Sequence, residues 1–164
     1  WPIVQGTADG QVDPARSWVV TGRERHVSFA RDEFLPYPQR ALRTADHLYI
    51  INFAPDRWPL GNPYGLDEPP GPTVEALTEE TYTTFRDDDA GPAKAWLVTH
   101  RDDPAVRPFF ERAYGKRPRA ELYDLKRDPH QLTNVATDPA YADIAARLEA
   151  QLLAELERTA DPRI

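Results

Sequence analysis

The sequence predicts an α+β domain: a small antiparallel sheet of about four strands packed against a long C-terminal helix, with a helical excursion between the third and fourth strands. Three observations predict it. Short β-type runs fall near residues 18–21, 39–44, 47–53 and 120–125, each bounded by turn residues. Near the end, Tyr141, Ile144, Ala145, Leu148, Leu152 and Leu156 recur at spacings of three and four, one apolar stripe of a helix. Between the third and fourth runs, residues 73–115 show proline-opened stretches of helical pattern.

Each element has its local reason. Trp18-Val19-Val20-Thr21 is β-branched and aromatic and stops at Gly22. Pro36 and Pro38 bar a helix from the mixed stretch that follows. Gln39–Thr44 and His47–Phe53 read as a hairpin closed by Ala45-Asp46. Residues 54–72, with six prolines and three glycines, read as a stiff irregular loop. Glu75–Arg86 reads as a short helix weakened by Thr81, Thr83 and Thr84, and Asp87-Asp88-Asp89 as a solvated helix end or turn rather than a metal site. Pro92–His100 and Pro104–Tyr114 read as two proline-opened helices, Pro108 lying within the tolerated first turn and Gly115 ending the second. In Glu121–Leu125, Leu122 takes one face of a strand and Tyr123 the other. Asp128-Pro129 and Asp138-Pro139 each set an N-cap acceptor before a proline suited to a first helical turn.

Composition bounds the function. The 164 residues suit one domain able to bury about two-thirds of its unfolded surface. A net charge of −7 disfavours nonspecific binding to nucleic acid or an anionic membrane. No apolar run approaches the ~20 residues that cross a bilayer. With no cysteine there is no disulfide and no thiolate metal site, and the redox compartment stays undetermined. The start, Trp1-Pro2-Ile3-Val4, reads as a cut inside a longer protein, with residues 1–16 a connector from an upstream domain. Periplasmic, secreted and cytoplasmic locations in a bacterium all stay open.

Gly22-Arg23-Glu24-Arg25-His26 is the leading candidate for binding. Two guanidiniums and an imidazole within four residues, just after a strand, suit sulfate or carboxylate oxygens through charge-assisted hydrogen bonds. The competing reading is a solvated loop whose arginines pair with nearby acids. Arg40 and Arg43, three apart on a strand, face opposite sides, and Arg40 is the better candidate to position a substrate. Its alternative is a buried arginine paired with an acid. Trp58, beside Arg57, offers a stacking face for a sugar, although loop packing is the preferred reading. His47, His100 and His130 form no close-spaced zinc pair, and no carboxylate pair suggests acid–base work.

The stretch from Glu121-Leu122-Tyr123-Asp124-Leu125 through Asp128-Pro129 to Asp138-Pro139 resembles the terminal signature of sulfatases of the alkaline-phosphatase-like superfamily. Gly22–His26, Tyr37–Thr44 running into Leu48–Phe53, and Pro55-Asp56-Arg57-Trp58-Pro59 resemble the heparan N-sulfatase (sulfamidase) branch. The resemblance covers roughly residues 17–60 and 119–162 and implies that 17–164 is a C-terminal subdomain completing a substrate cleft. It also implies a parent that hydrolyses a sulfate ester or sulfamate on a sulfated, glycosaminoglycan-type sugar. The formylglycine and calcium of that chemistry would lie in a missing N-terminal catalytic domain, because neither Ser17 nor Ser28 precedes x-Pro-Ser-Arg. This chain would then supply no catalytic residue and no metal ligand; His26 and Arg25, with Arg23, Arg40 and Trp58, would be substrate-binding. Its partners would be the upstream domain and a sulfated sugar, with no nucleic acid and no membrane. The alternatives are a free-standing module that binds anionic carbohydrate or protein, or the scaffold of an inactive homologue. A severed subdomain should expose a large apolar patch on one sheet face, and an autonomous module should not.

Overall fold

The structure is a computed structural model and describes residues 17–164; the predicted connector, residues 1–16, lies outside the described residues. Strands β1 (Trp18–Arg23), β2 (Gln39–Thr44) and β3 (His47–Asn52) precede helices α1 (Val74–Glu79), α2 (Pro92–Thr99) and α3 (Arg107–Tyr114), followed by β4 (Ala120–Asp124) and α4 (Ala142–Arg158). The sheet runs β1-β2-β3-β4, antiparallel throughout. The predicted class, the strand positions and the helical excursion all hold.

Register explains the faces. Val20 lies opposite Leu42, Leu42 opposite Tyr49, and Tyr49 opposite Leu122, so one row of side chains crosses the whole sheet on one side. That side packs on α4: Leu42, Tyr49, Ile51 and Leu122 form one buried cluster with Tyr141, Leu148, Leu152 and Leu156. The β2–β3 turn is tight because Thr44 Oγ1 accepts from the N–H groups of Asp46 (3.2 Å) and His47 (2.9 Å). On the opposite side the row Val19, Arg43, Leu48 and Tyr123 alternates with Thr21, Ala41, Ile50 and Glu121. This face mixes polar and apolar groups; of the large apolar side chains on its strands, Val19 is strongly exposed.

The excursion has its own core of Leu66, Leu77, Phe85, Ala95, Val98, Phe110 and Tyr114, in which Phe85 stacks on Tyr114 at 4.4 Å. Lys94 braces it from inside, its ammonium donating to the carbonyls of Asp88 (2.7 Å) and Thr81 (3.1 Å). Burial lowers the Lys94 pKa, against the opposing pull of Asp88 and Asp89.

Three boundaries differ from expectation. The helix expected over 75–86 is one short helix ending at Glu79, because the threonine-rich segment spends its hydroxyls on backbone groups instead: Thr83 Oγ1 donates to Ala76 O at 3.2 Å, and Thr81 Oγ1 accepts from Ala90 N at 3.1 Å. The helix expected from Pro104 begins at Arg107, leaving Pro108 in its first turn, where no N–H is missed. Asp128 caps no helix; its Oδ2 accepts from Leu132 N (2.6 Å) and Thr133 N (2.7 Å) and closes a loop. Asp138 does cap, accepting from Ala140 N at 2.9 Å, but first for a single 3₁₀ turn at Pro139–Tyr141.

Candidate functional site

Gly22–His26 carries β1 into a loop that folds back over the excursion. Gly22 allows a close approach: a Cβ there would meet Arg40 Cδ at 3.0 Å, tight enough that the Arg40 side chain would have to shift. Arg40 crosses under it and is buried, not open to a ligand. Its Nε donates to Asp161 Oδ2 at 2.6 Å and its Nη2 to Asp161 Oδ1 (3.1 Å) and Glu24 Oε1 (2.8 Å), while Nη1 donates to the Gln39 carbonyl at 2.8 Å. Burial works against the charged guanidinium, yet the hydrogen bonds and charges of Asp161 and Glu24 outweigh it and hold the Arg40 pKa above its ordinary value. Arg163 closes the network by pairing with Glu24. The alternative reading of Arg40, a buried arginine paired with acids, is the geometry found.

Asp87 organises the other side of the loop. The sequence reading placed it in a solvated turn; it is buried, and this is a correction. Its Oδ1 accepts from Val27 N (2.7 Å) and His26 N (3.2 Å), and its Oδ2 from Arg31 Nη2 (3.0 Å), with Arg23 Nη2 at 3.7 Å. Arg31 in turn donates to the carbonyls of Trp58 (2.8 Å) and Pro59 (2.7 Å), and burial lowers its pKa in spite of Asp87. Neither Arg31 nor Asp87 stands out in the sequence.

The five predicted binding residues therefore divide. Arg40 and Trp58 are engaged internally, and Arg23 is half-exposed with its Nη2 3.7 Å from Asp87. The ring of Trp58 meets Phe85 edge-on at 6.0 Å and carries Lys116 Nζ 5.5 Å from its centroid, so it packs on the excursion's core. Arg25 and His26 are exposed. The Arg25 guanidinium donates to the Phe34 carbonyl, and the His26 ring has no hydrogen bond among the described residues. A hollow of about 350 Å³ touches this segment through Gly22, Arg23 and Glu24 and is walled by Arg40, Leu156 and Asp161. Arg25 and His26 stand outside it. What the arrangement offers chemically is a pinned loop presenting one guanidinium and one imidazole outward. Both suit an oxyanion.

The outlying histidines do no joint work: His100, for example, stacks on Trp96 at 5.0 Å and its Nδ1 lies 2.9 Å from the Trp96 carbonyl. Among the described residues no three His, Asp or Glu side chains converge as a metal site, and Ser28 is followed by Phe29-Ala30. The described residues thus do not fit a calcium ion or a formylglycine precursor. Among the described residues no helix is long and apolar enough to cross a membrane.

No protein-family profile matches the chain. Over 128 residues, 78% of its length, the chain is 47% identical to human N-sulphoglucosamine sulphohydrolase. The aligned segment amounts to 21% of that relative, so the chain spans about a fifth of the curated protein it matches. Two solved structures align over 98% of the chain and 19% of their own length: a candidate sulfatase from Bacteroides thetaiotaomicron (17% identity, TM-score 0.45) and a 2-O glycosaminoglycan sulfatase (18%, 0.44). By sequence the chain is similar to part of one class of protein, a sulphohydrolase. Within that class, the particular relative it resembles is the human sulphohydrolase.

Proposed function

We propose that the chain completes the substrate cleft of a sulfatase-type hydrolase acting on a sulfate ester or sulfamate of a sulfated sugar. The loop bearing Arg25 and His26 borders that cleft. Nucleophile and metal, a formylglycine and a calcium ion, belong to the rest of the parent protein, because no side chains described here fit them. One observation carries the reading: Asp87, itself held by Arg31, pins the loop backbone while Arg25 and His26 stay exposed, the first tied to the Phe34 carbonyl and the second with no ring hydrogen bond among the described residues. The 47% identity to the human sulphohydrolase supports the choice of chemistry.

The test is a reconstitution. The 164-residue chain alone should give no turnover of a sulfated disaccharide. Joined to the remainder of its parent it should, and Arg25→Ala and His26→Ala in that protein should each raise KM about tenfold, the cost of one charge-assisted hydrogen bond. Turnover by the isolated chain would overturn the division of roles. A second reading, a free-standing module for anionic sugars, is favoured by the mixed rather than apolar outer sheet face. Tight binding of a sulfated sugar by the chain, together with an inactive parent, would select it.

A further inference from the structure

The outer face of the sheet holds a second cationic centre, which the reading of the Arg25–His26 loop does not use. A cavity of about 500 Å³ opens between the end of α3, the turn leading into β4 and the outward side of the sheet. Arg112, Lys116 and Arg117 line it, three cations within six residues of sequence. Around the Gly22–His26 loop, Arg31 and Arg40 are paired with Asp87, Glu24 and Asp161, and Arg23 lies 3.7 Å from the same Asp87. Here the ion pairs of the described residues include none of the three. Arg117 donates to the Arg112 carbonyl, which sets its guanidinium across the turn, and Lys116 extends over Trp58 with its ammonium 5.5 Å from the ring centroid.

The one carboxylate in the lining is already committed. Glu121 is buried, and its two oxygens accept from Asn52 Nδ2 at 2.8 Å and the Tyr123 hydroxyl at 2.6 Å. Among the described residues, three cationic residues thus line the cavity against one hydrogen-bonded carboxylate, in a chain whose overall charge is −7. The remaining wall suits a sugar. Tyr123 and the half-exposed Leu132 present apolar surface to ring C–H groups. Gln39, whose Nε2 is spent on Asn52 Oδ1 at 2.7 Å, keeps its amide oxygen to accept from a hydroxyl.

We infer that this cleft binds the sulfate or carboxylate groups of an anionic saccharide, through Arg112, Lys116 and Arg117, at a place separate from the Arg25–His26 loop. The inference rests on the sulfated-sugar reading for its ligand class and on the cavity for its location. A saccharide longer than one residue would be gripped here by a charged unit away from the one that reacts, lowering KM for longer substrates.

The test is a titration of the 164-residue chain with a sulfated disaccharide, with its unsulfated and its carboxylated counterparts as separate arms, followed by calorimetry and by backbone amide shifts. Binding should be saturable, should weaken as salt rises, and should shift amides of residues 112–123 and 131–132. The double substitution Arg112→Ala/Lys116→Ala, both on the surface and so compatible with folding (checked by circular dichroism), should weaken it about tenfold or more. Arg25→Ala/His26→Ala separates this inference from the reading it rests on. Binding that survives that pair but is lost with the cleft pair supports the cleft whatever becomes of the loop; the reverse pattern overturns the cleft and leaves the loop standing. No binding, or equal binding of the uncharged sugar, also overturns it.

Discussion

Arg40 shows how much a single side chain can hold when its partners come from far apart in sequence. Its guanidinium joins β2 to Asp161, beyond α4, and to Glu24, after β1. Removing it strands the Asp161 carboxylate and leaves Glu24 with Arg163 alone, and Arg40→Ala should cost about 3 kcal/mol in urea unfolding, the lower end for broken buried pairs because Glu24 is partly solvated. The same clamp predicts a pH dependence. Arg40's hydrogen bonds hold the Asp161 carboxyl below its ordinary 3.8, and Glu24 lies below 4.5 because Arg163 and Arg40 outweigh the upward push of burial. With folded values below unfolded ones, the unfolded chain takes up protons first as pH falls. The clamp therefore contributes fully above 4.5 and is lost as pH drops through 4.5 and 3.8 toward the folded values. Asp161→Asn should be less stable at neutral pH and should flatten this acid limb, read from unfolding midpoints across the range. An unchanged acid limb would remove the clamp from the account. In the sequence Arg40 was legible only as one of two candidates on opposite faces; its partner 121 residues away was not.

At the scale of elements, the strands and α4 were readable because their periodicity is set by burial against one face. α4 turns Leu148, Leu152 and Leu156 onto the sheet, and all three are buried. Leu152, fully enclosed, should lose about 3 kcal/mol on Leu152→Ala, transfer and cavity terms together. Exposed Arg147 on the same helix should change stability by less than about 0.5 kcal/mol on Arg147→Ala. Thermal or urea unfolding of the two variants compares them directly. The short helices were harder to bound. α1 and α3 span barely two turns, and their limits depend on which threonine, aspartate or proline finds a backbone partner. Asp128-Pro129 and Asp138-Pro139 look alike in sequence, yet one closes a loop and the other starts a turn, because only the second is followed by an apolar stripe that can dock.

At the scale of the molecule, the described residues form two hydrophobic clusters, one between sheet and α4 and one within the excursion. The three short helices pack chiefly on one another, whereas α4 lies on the sheet. Asp87 and Arg31 join the excursion to the loop after β1. Asp87→Ala would strand a buried guanidinium and two backbone N–H groups and should cost about 3–5 kcal/mol. Amide exchange should show that loss first at residues 23–31 and in α1–α3, with the sheet and α4 keeping more of their protection; uniform loss would mean the two clusters unfold as one. Taken by itself, the sequence determined the α+β class, the strand positions, the amphipathic closing helix and the exposed basic loop, since alternation, capping and turn chemistry act within a few residues. Only the tertiary structure decided which arginines are spent on internal acids, that Asp87 is a buried anchor, and that Arg112, Lys116 and Arg117 gather around a cavity. Pairing between charges is a matter of distance in space, and residues 60 to 140 positions apart leave no local pattern of their meeting.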